Sequence, residues 1–250
     1  MLTRQELKQN AKQQLQGKIG IIFLCGVIYF AITLGLNFIP LLGSIAVLLL
    51  TPALELGFTK LYMDISYGRN AEVGTLFSGF SQFGQAILTY LLIAGLSLLV
   101  GVVILLPFVV LLVVGIELGS TGIVLGAAAW YFVAMILLIY FALGLTFIFY
   151  IMAENPDLSA LDLLKASWSM MKGHRFEYII LALSFIPWIL LGAITLGIGY
   201  IWVVPYMSLT TVNFYHNLKP DGADSDEYGY REYNSYEAYE AYGSEENTQE

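Results

Sequence analysis

The sequence predicts an all-α polytopic membrane protein with six transmembrane helices, amphipathic interfacial helices and a disordered acidic C-terminal tail. Of the 250 residues, 58% are hydrophobic and only 12% are charged, whereas a soluble domain carries about 25% charged residues. Several apolar runs approach the roughly 20 residues that a helix needs to cross the hydrocarbon layer. We therefore divide the chain into an N-terminal helix (1–18), a six-span membrane domain (19–218) and a tail (219–250).

The first residues predict a basic amphipathic helix over residues 3–17. Thr3 and Glu6 have the spacing of a capping box. One narrow apolar stripe and four flanking bases follow: Leu7, Ala11 and Leu15, with Arg4, Lys8, Lys12 and Lys18. We expect this helix to lie on an anionic inner leaflet of the lipid bilayer. A signal peptide is the alternative, but no small-residue cleavage site follows, so the first apolar segment is expected to be retained.

Six apolar segments follow, and each predicts a membrane span. They are Ile19–Phe38, Ser44–Met63, Ala86–Val114, Gly122–Met152, Tyr178–Leu196 and Tyr200–His216. The last segment is marginal in length, and the third and fourth are longer than an upright crossing requires. Tilt, a break at Pro107 or protrusion beyond the bilayer would absorb the excess length.

The distribution of Lys and Arg predicts the orientation of these spans. With six spans and a cytoplasmic N-terminus, the inner segments are 1–18, 64–85, 153–177 and 217–250. All eleven Lys and Arg residues then lie inside, except Lys60, which can reach the inner surface. Three spans within 86–152 would instead place Glu117 in mid-membrane and several bases outside. The sequence therefore predicts a plasma-membrane protein with both termini in the cytoplasm.

Two inner segments have the pattern of surface-lying helices. Within Glu154–Arg175, Asn155 suits the N-cap, Pro156 the first turn and Gly173 the end of a helix. One face of this helix carries Leu158, Leu161, Leu164, Trp168 and Met171. That face is typical of a helix lying in the membrane interface, with its tryptophan near the headgroups. Apolar residues in Ala71–Gly84 predict a second helix of this kind.

Polar residues inside two spans form the candidate functional site. Glu55 is the one acid well inside a span, and Thr51 and Thr59 share its helix face. On one face of the last span, after a proline, lie Tyr206, Thr210 and Asn213. An intramembrane acid often marks an ion or substrate path, and broken helices line transporter sites. The alternative is that these groups hydrogen-bond between helices and hold them together.

Several other classes of function lack their motifs. The chain has one cysteine, Cys25, so a multi-cysteine metal site is not expected. Phosphate-loop, serine-nucleophile and His-Glu-x-x-His patterns are absent from the sequence. We therefore expect neither an enzyme nor a cofactor. A nucleic-acid partner is not expected either, because the sequence carries no basic patch interleaved with aromatic residues.

The acidity of the chain belongs to its tail. Residues 221–250 contain ten acidic residues and one basic residue, Arg231, whereas residues 1–220 contain nine acidic and ten basic residues. Six tyrosines are spaced among the tail's acids: Tyr228, Tyr230, Tyr233, Tyr236, Tyr239 and Tyr242. With almost no aliphatic residues, this segment is expected to be disordered. It is either a solvated tail or a docking segment for a basic cytoplasmic protein.

Motifs spread along residues 1–219 resemble those of a bacterial integral-membrane family catalogued as domain of unknown function 975. They are Thr3-Arg4-Gln5-Glu6-Leu7-Lys8 with Ala11-Lys12 and Leu15-Gln16-Gly17, Asn70-Ala71-Glu72-Val73-Gly74-Thr75-Leu76-Phe77-Ser78-Gly79-Phe80, Glu154-Asn155-Pro156-Asp157-Leu158-Ser159-Ala160, Met171-Lys172-Gly173-His174, Leu196-Gly197-Ile198-Gly199, Trp202-Val203-Val204-Pro205-Tyr206 and Asn213-Phe214-Tyr215. The resemblance implies a bacterial membrane location of the Gram-positive type. It implies no particular activity.

Two functions from different classes fit these patterns. The first is a non-enzymatic cell-envelope interaction or scaffolding protein that works through its interfacial helices and tail. The alternative is a small-solute or ion transporter, with Glu55 lining the path. Either function is compatible with a homo-oligomer.

Overall fold

The computed structural model describes residues 2–39 and 42–219, which form helices and contain no strand. The helices are α1 (Arg4–Gln14), α2 (Ile19–Asn37), α3 (Leu42–Ser66), α4 (Val73–Phe77), a 3₁₀ helix (Ser78–Gln82), α5 (Phe83–Glu117), α6 (Thr121–Gly144), α7 (Ile148–Glu154), α8 (Ala160–Met170), α9 (Arg175–Leu183), α10 (Ile186–Ile194) and α11 (Tyr200–Asn217). The predictions for the tail, Asp221–Glu250, lie outside the described residues.

Five helical segments are long and apolar enough to cross a membrane. They are Ile19–Asn37, Leu42–Ser66, Val73–Glu117, Thr121–Glu154 and Arg175–Ile194. The predicted class, an all-α protein with several membrane-spanning helices, is therefore confirmed. α11 has 18 residues and is not among the five, so the sixth span stays a prediction.

The buried core lies at one end of the helix bundle. Its large, fully buried side chains come from α1, the second half of α3, α7, α8 and α11, and include Leu7, Leu15, Leu61, Ile151, Met152, Leu163 and Tyr215. By contrast, α5 and α6 bury only small residues: Ala86, Thr89 and Gly115 in α5, and Ala127, Ala134 and Gly144 in α6. The two long helices pack mainly against each other. Large side chains are therefore buried at one end of the bundle and exposed along this hairpin.

The N-terminal helix has the predicted capping box but uses its apolar stripe inside the protein. The amide of Glu6 donates to the Thr3 hydroxyl (3.4 Å), and the amide of Thr3 donates to the Glu6 carboxylate (2.6 Å). The Glu6 carboxylate also accepts from the Thr3 hydroxyl (2.8 Å), and the two bonds that it accepts from Thr3 lower the pKa of Glu6. The stripe of Leu7, Ala11 and Leu15 is at most 1% exposed, because α1 packs on α11. Only the opposite, basic face of α1 remains for the leaflet.

The predicted surface helix over Ala71–Gly84 is wrong in shape. The segment instead folds into α4 and the 3₁₀ helix, which pack tightly on α3. A Cβ on Gly57 would lie 1.8 Å from the Leu76 carbonyl oxygen, and a Cβ on Gly79 would lie 1.9 Å from the Ala53 carbonyl oxygen. Leu76 is fully buried and Phe77 is 44% exposed. Close backbone contact, rather than periodicity, determines how this segment lies.

The start of the second predicted surface helix needs correction, and the side of the helix that packs on the protein was not predicted. α8 begins at Ala160, because the Ser159 hydroxyl accepts from the amide of Asp162 (3.3 Å), and Asn155 instead follows the end of α7. The residues that α8 and the turn after it bury are Leu163, Ala166, Ser167, Met170 and Met171. Of the predicted face, Met171 is fully buried and Leu161 is 55% exposed, while Leu158, Leu164 and Trp168 are half-buried. The buried side of α8 packs on α5, α6 and α7, and the predicted contact of the helix with the membrane interface stays a prediction.

The chain bends at other places than the sequence predicted. α5 is continuous through Pro107, and its 35 residues extend about 52 Å at roughly 1.5 Å per residue. The fourth predicted span is divided between Gly144 and Ile148, and the fifth between Leu183 and Ile186. A proline occupies the first turn of α10, where its missing N–H removes no helical hydrogen bond.

We expect Gly57→Ala to destabilise the protein by about 1–3 kcal/mol, the usual cost of overpacking. Its new methyl group would meet the backbone carbonyl of Leu76, which cannot move aside as a side chain would. The measurement is the thermal unfolding midpoint of the purified protein in detergent. Gly74→Ala is the matched control, because nothing lies within 4 Å of its Cβ position. Equal midpoints for the two variants would contradict the proposed packing.

Candidate functional site

The structure does not gather the predicted intramembrane polar residues into one cluster. The Thr51 hydroxyl donates to the Val47 carbonyl (2.7 Å), and the Thr59 hydroxyl donates to the backbone carbonyl of Glu55 (2.9 Å). Both hydroxyls are thus used within α3, four residues back along the helix. The Glu55 side chain is exposed on the surface of α3. A path lined by Glu55 stays a prediction.

The α11 residues of the predicted site are buried, but each has a different environment. Thr210 is fully buried and donates to the Tyr206 carbonyl (2.8 Å). The Tyr206 ring lies in an aromatic cluster, 4.8 Å from the Trp202 centroid and 5.3 Å from the Phe185 centroid. Asn213 bonds to α1. The contacts of Tyr206 and Asn213 thus reach other helices, whereas the Thr210 bond lies within α11.

Asn213 is the centre of a clamp that holds α1 on α11. Its side-chain amide exchanges hydrogen bonds with that of Gln14 (3.0 and 3.1 Å) and donates to the Leu7 carbonyl (3.3 Å). Gln14 also donates to the Ser66 carbonyl at the end of α3 (3.2 Å). Because Asn213 is only 7% exposed, its amide would be costly to bury without these partners. The residue has a structural role in joining three helices.

Lys8 connects the other side of α1 to the break between α9 and α10. Its ammonium donates to the Ser184 carbonyl (3.3 Å) and lies 4.4 Å from the centroid of the Phe185 ring. Burial lowers the pKa of Lys8, and the nearby charge of Arg4 lowers it further. A cation here satisfies a carbonyl at the C-terminal end of α9, where the helix dipole favours positive charge.

The most concentrated polar cluster surrounds Glu154, and we call it the Glu154 junction. The carboxylate of Glu154 accepts from the hydroxyls of Tyr67 (2.9 Å) and Tyr215 (2.6 Å), and from the Lys219 ammonium (2.5 Å). The side chains of Lys219 and Glu154 are 11% and 23% exposed. His216 lies beside the junction, 3.0 Å from the Ser66 hydroxyl and 3.3 Å from the Tyr67 hydroxyl. The junction joins the ends of α3, α7 and α11.

The chemistry of the Glu154 junction is that of a paired and shielded charge. Charge-assisted hydrogen bonds of this kind are about twice as strong as neutral ones, and three donors compensate the carboxylate for its partial burial. Across residues 2–39 and 42–219, no three His, Cys, Asp or Glu side chains lie together as metal ligands would. The arrangement can hold segments of the chain together.

Sequence reasoning placed Glu154 only at the start of a polar stretch and missed its partners. Tyr67 and Tyr215 lie 87 and 61 residues away along the chain, beyond any helical or strand period. The available signal was an acid at the inner end of a span, directly before Asn155-Pro156. Such an acid needs a donor nearby if it is shielded from water.

The apolar helices, the core at one bundle end and the shielded charges define a helical integral membrane protein. The sequence matches the family described as "Protein of unknown function (DUF975)" over residues 1–221, and the chain belongs to that family. The recognition made from the sequence motifs is thereby confirmed. Neither the curated proteins nor the solved structures contain a match to the chain.

We expect Glu154→Gln to lower the free energy of unfolding by about 1–3 kcal/mol, the range for a hydrogen bond to a charged group. Glutamine keeps the size of the side chain but removes the charge opposite Lys219. The measurement is the thermal midpoint in detergent, converted with the unfolding enthalpy. Glu177→Gln is the control, because the Glu177 side chain, 3.3 Å from His174, is 56% exposed and such pairs contribute little. A larger loss in Glu177→Gln would contradict the role of the junction.

Proposed function

We propose that this protein is a non-enzymatic cell-envelope interaction or scaffolding protein of the bacterial plasma membrane. The observation that carries the proposal is the division of the molecule into a tightly joined end and an open apolar hairpin. The polar clusters among the described residues connect helices to one another, whereas α5 and α6 present long apolar surfaces. This arrangement suits a protein whose helices are joined firmly to one another at one end of the bundle. Its α5–α6 hairpin would then bind a neighbouring molecule within the plane of the membrane.

The positions of the helix ends support six spans with both termini inside. The amide of Leu2 donates to the Asn217 side chain (2.7 Å), and Tyr67 bonds to Glu154 (2.9 Å). Segments that touch in this way lie on the same side of a membrane, so an even number of crossings separates them. If α9 and α10 together cross the bilayer once, α11 must cross it again to bring Asn217 back to the side of Leu2. The positive charges favour the cytoplasm for this side.

The outer surface of the α5–α6 hairpin supports lateral association. The two helices hold each other through a hydrogen bond from the Trp130 indole to the Ile104 carbonyl (3.0 Å), and Gly115 lies against Val124. Their outward side chains are apolar and exposed: Leu98 (70%), Leu99 (61%), Val103 (63%), Leu106 (56%), Phe132 (69%) and Ile136 (67%). We propose that a second copy of the chain packs on this surface, with lipid covering the remainder.

The inner face offers a second interaction surface. The exposed side of α1 carries Arg4 and Lys12, which attract anionic headgroups by about 1 kcal/mol for each base near the leaflet. Lys219, in the Glu154 junction, lies directly before the acidic tail. We propose that the acidic tail, which follows Lys219 in the sequence, binds a basic cytoplasmic protein.

The orientation can be tested with single cysteines at Glu117 and Asp157 in a Cys25→Ala background. Asp157 is exposed between α7 and α8, and Glu117 is at the end of α5. A membrane-impermeant maleimide added to intact cells should label the cysteine at 117 and leave the one at 157 unlabelled. Permeabilised cells, in which both positions should react, are the control. Labelling of both positions in intact cells would overturn the six-span orientation.

Self-association of the hairpin predicts a pattern of cross-links. Single cysteines replacing Leu98, Leu106 or Ile136 should cross-link copies of the chain in native membranes, because these side chains point outward. The measurement is the dimer fraction on a denaturing gel after a bifunctional maleimide. Leu105→Cys is the matched control, since that side chain is half-buried on the same helix. Equal cross-linking at Leu105 and Leu106, or none at any position, would contradict a dimer through this surface.

A further inference from the structure

Arg175 is a charged residue buried at the start of α9. The residue is only 7% exposed, and it lies where α9 meets the end of α6. Its guanidinium carbon is 3.8 Å from the centroid of the Tyr140 ring and 4.4 Å from that of the Trp168 ring. The two rings are nearly perpendicular, with an interplanar angle of 83°. They form a corner, and the guanidinium lies in it.

This aromatic corner is built into the fold. A Cβ on Gly144 would lie 2.2 Å from the Trp168 ring, so glycine at this position lets the ring pack directly on the backbone of α6. Next to it, the buried hydroxyl of Ser167 donates to the Gly144 carbonyl (2.8 Å) and accepts from the amide of Phe147 (3.1 Å). These contacts fix α8 against the break between α6 and α7, and thereby fix the position of the tryptophan.

The corner covers the guanidinium but does not satisfy its N–H groups. Cation–π attraction acts through the ring faces, whereas the nitrogens of arginine are donors in the guanidinium plane. Nε and Nη2 of Arg175 are buried and have no hydrogen-bond partner among the described residues. Buried donors of a charged group normally have acceptors, and an arginine fork fits the paired oxygens of a phosphate.

The surrounding charges favour an anion as the missing acceptor. The first amides of α9 have no partner within the helix, and the helix dipole places partial positive charge there. Lys172, three residues before Arg175, is exposed. The nearby acid, Glu177, points to His174 at 3.3 Å and is the one carboxylate that would oppose an anion on this turn.

We infer that Arg175 binds a phosphate group, supplied by a phospholipid headgroup or by free phosphate. The site includes Tyr140 of α6, one turn after the exposed Ile136, and so adds a ligand beside the surface proposed for self-association. The tryptophan and tyrosine beside the arginine also suit a headgroup region, where amphipathic rings collect. Phosphate oxygens would meet the edge of the guanidinium, while the rings keep its faces out of water.

The test uses the purified full chain in a maltoside detergent, which contains no phosphate. Tryptophan fluorescence is followed while short-chain phosphatidylglycerol, the matching diacylglycerol or inorganic phosphate is added. Wild type should give a saturable change with phosphatidylglycerol and none with the diacylglycerol, which lacks the phosphate. Saturation by inorganic phosphate as well would show that free phosphate suffices, and its absence would assign the source to the lipid. Either result supports the site.

Arg175→Gln should weaken the binding by about tenfold or more, as expected when a charged hydrogen bond is lost. Arg69→Gln is the matched control and should bind within about twofold of wild type, because it removes an arginine that is 63% exposed, pairs with Asp64 and takes no part in the site. If Arg175→Gln does not fold, Arg175→Lys keeps the positive charge and loses the planar fork. Full affinity in either Arg175 variant, or an equal response to the diacylglycerol, would overturn the inference.

Discussion

The Glu154 junction is the interaction on which the end of the bundle that holds the buried core depends. A carboxylate is costly to shield from water unless donors compensate it, and here Tyr67, Tyr215 and Lys219 supply them. Since these residues lie at the ends of three different helices, one acid holds α3, α7 and α11 in register. The clamp at Asn213 then seats α1 on the resulting surface.

The two ends of the bundle are held by different physical effects. At the junction, buried aliphatic and aromatic side chains surround a few satisfied polar groups. Along the α5–α6 hairpin, small buried residues let the two helices approach, and large apolar side chains face outward. Lipid is as apolar as leucine, so a span gains little by burying such side chains in protein. The outward side chains of the hairpin can therefore contact a partner without weakening the packing of the core.

Pattern reasoning succeeded where the physics is local. The capping box of Thr3 and Glu6 and the turn at Gly173, which has a φ of +85°, need only neighbouring residues and are present. Reasoning from periodicity was less accurate for the two predicted surface helices. It placed Met171, which is fully buried in the protein, on the membrane-facing side of α8, and it predicted one helix where Gly57 and Gly79 pack the chain onto α3. In a chain this apolar, protein-facing and lipid-facing positions carry the same residues, so periodicity does not separate them.

The sequence by itself determined the class of the protein, its family and the location of its apolar helices, because these follow from composition, local caps and motifs within short windows. Only the tertiary structure decided which polar groups meet. Glu154 joins partners 87 and 61 residues away, and Arg175 enters a corner formed by Tyr140 and Trp168. Such encounters depend on how helices far apart in the chain cross, and the crossing is set by the packing of whole helix faces.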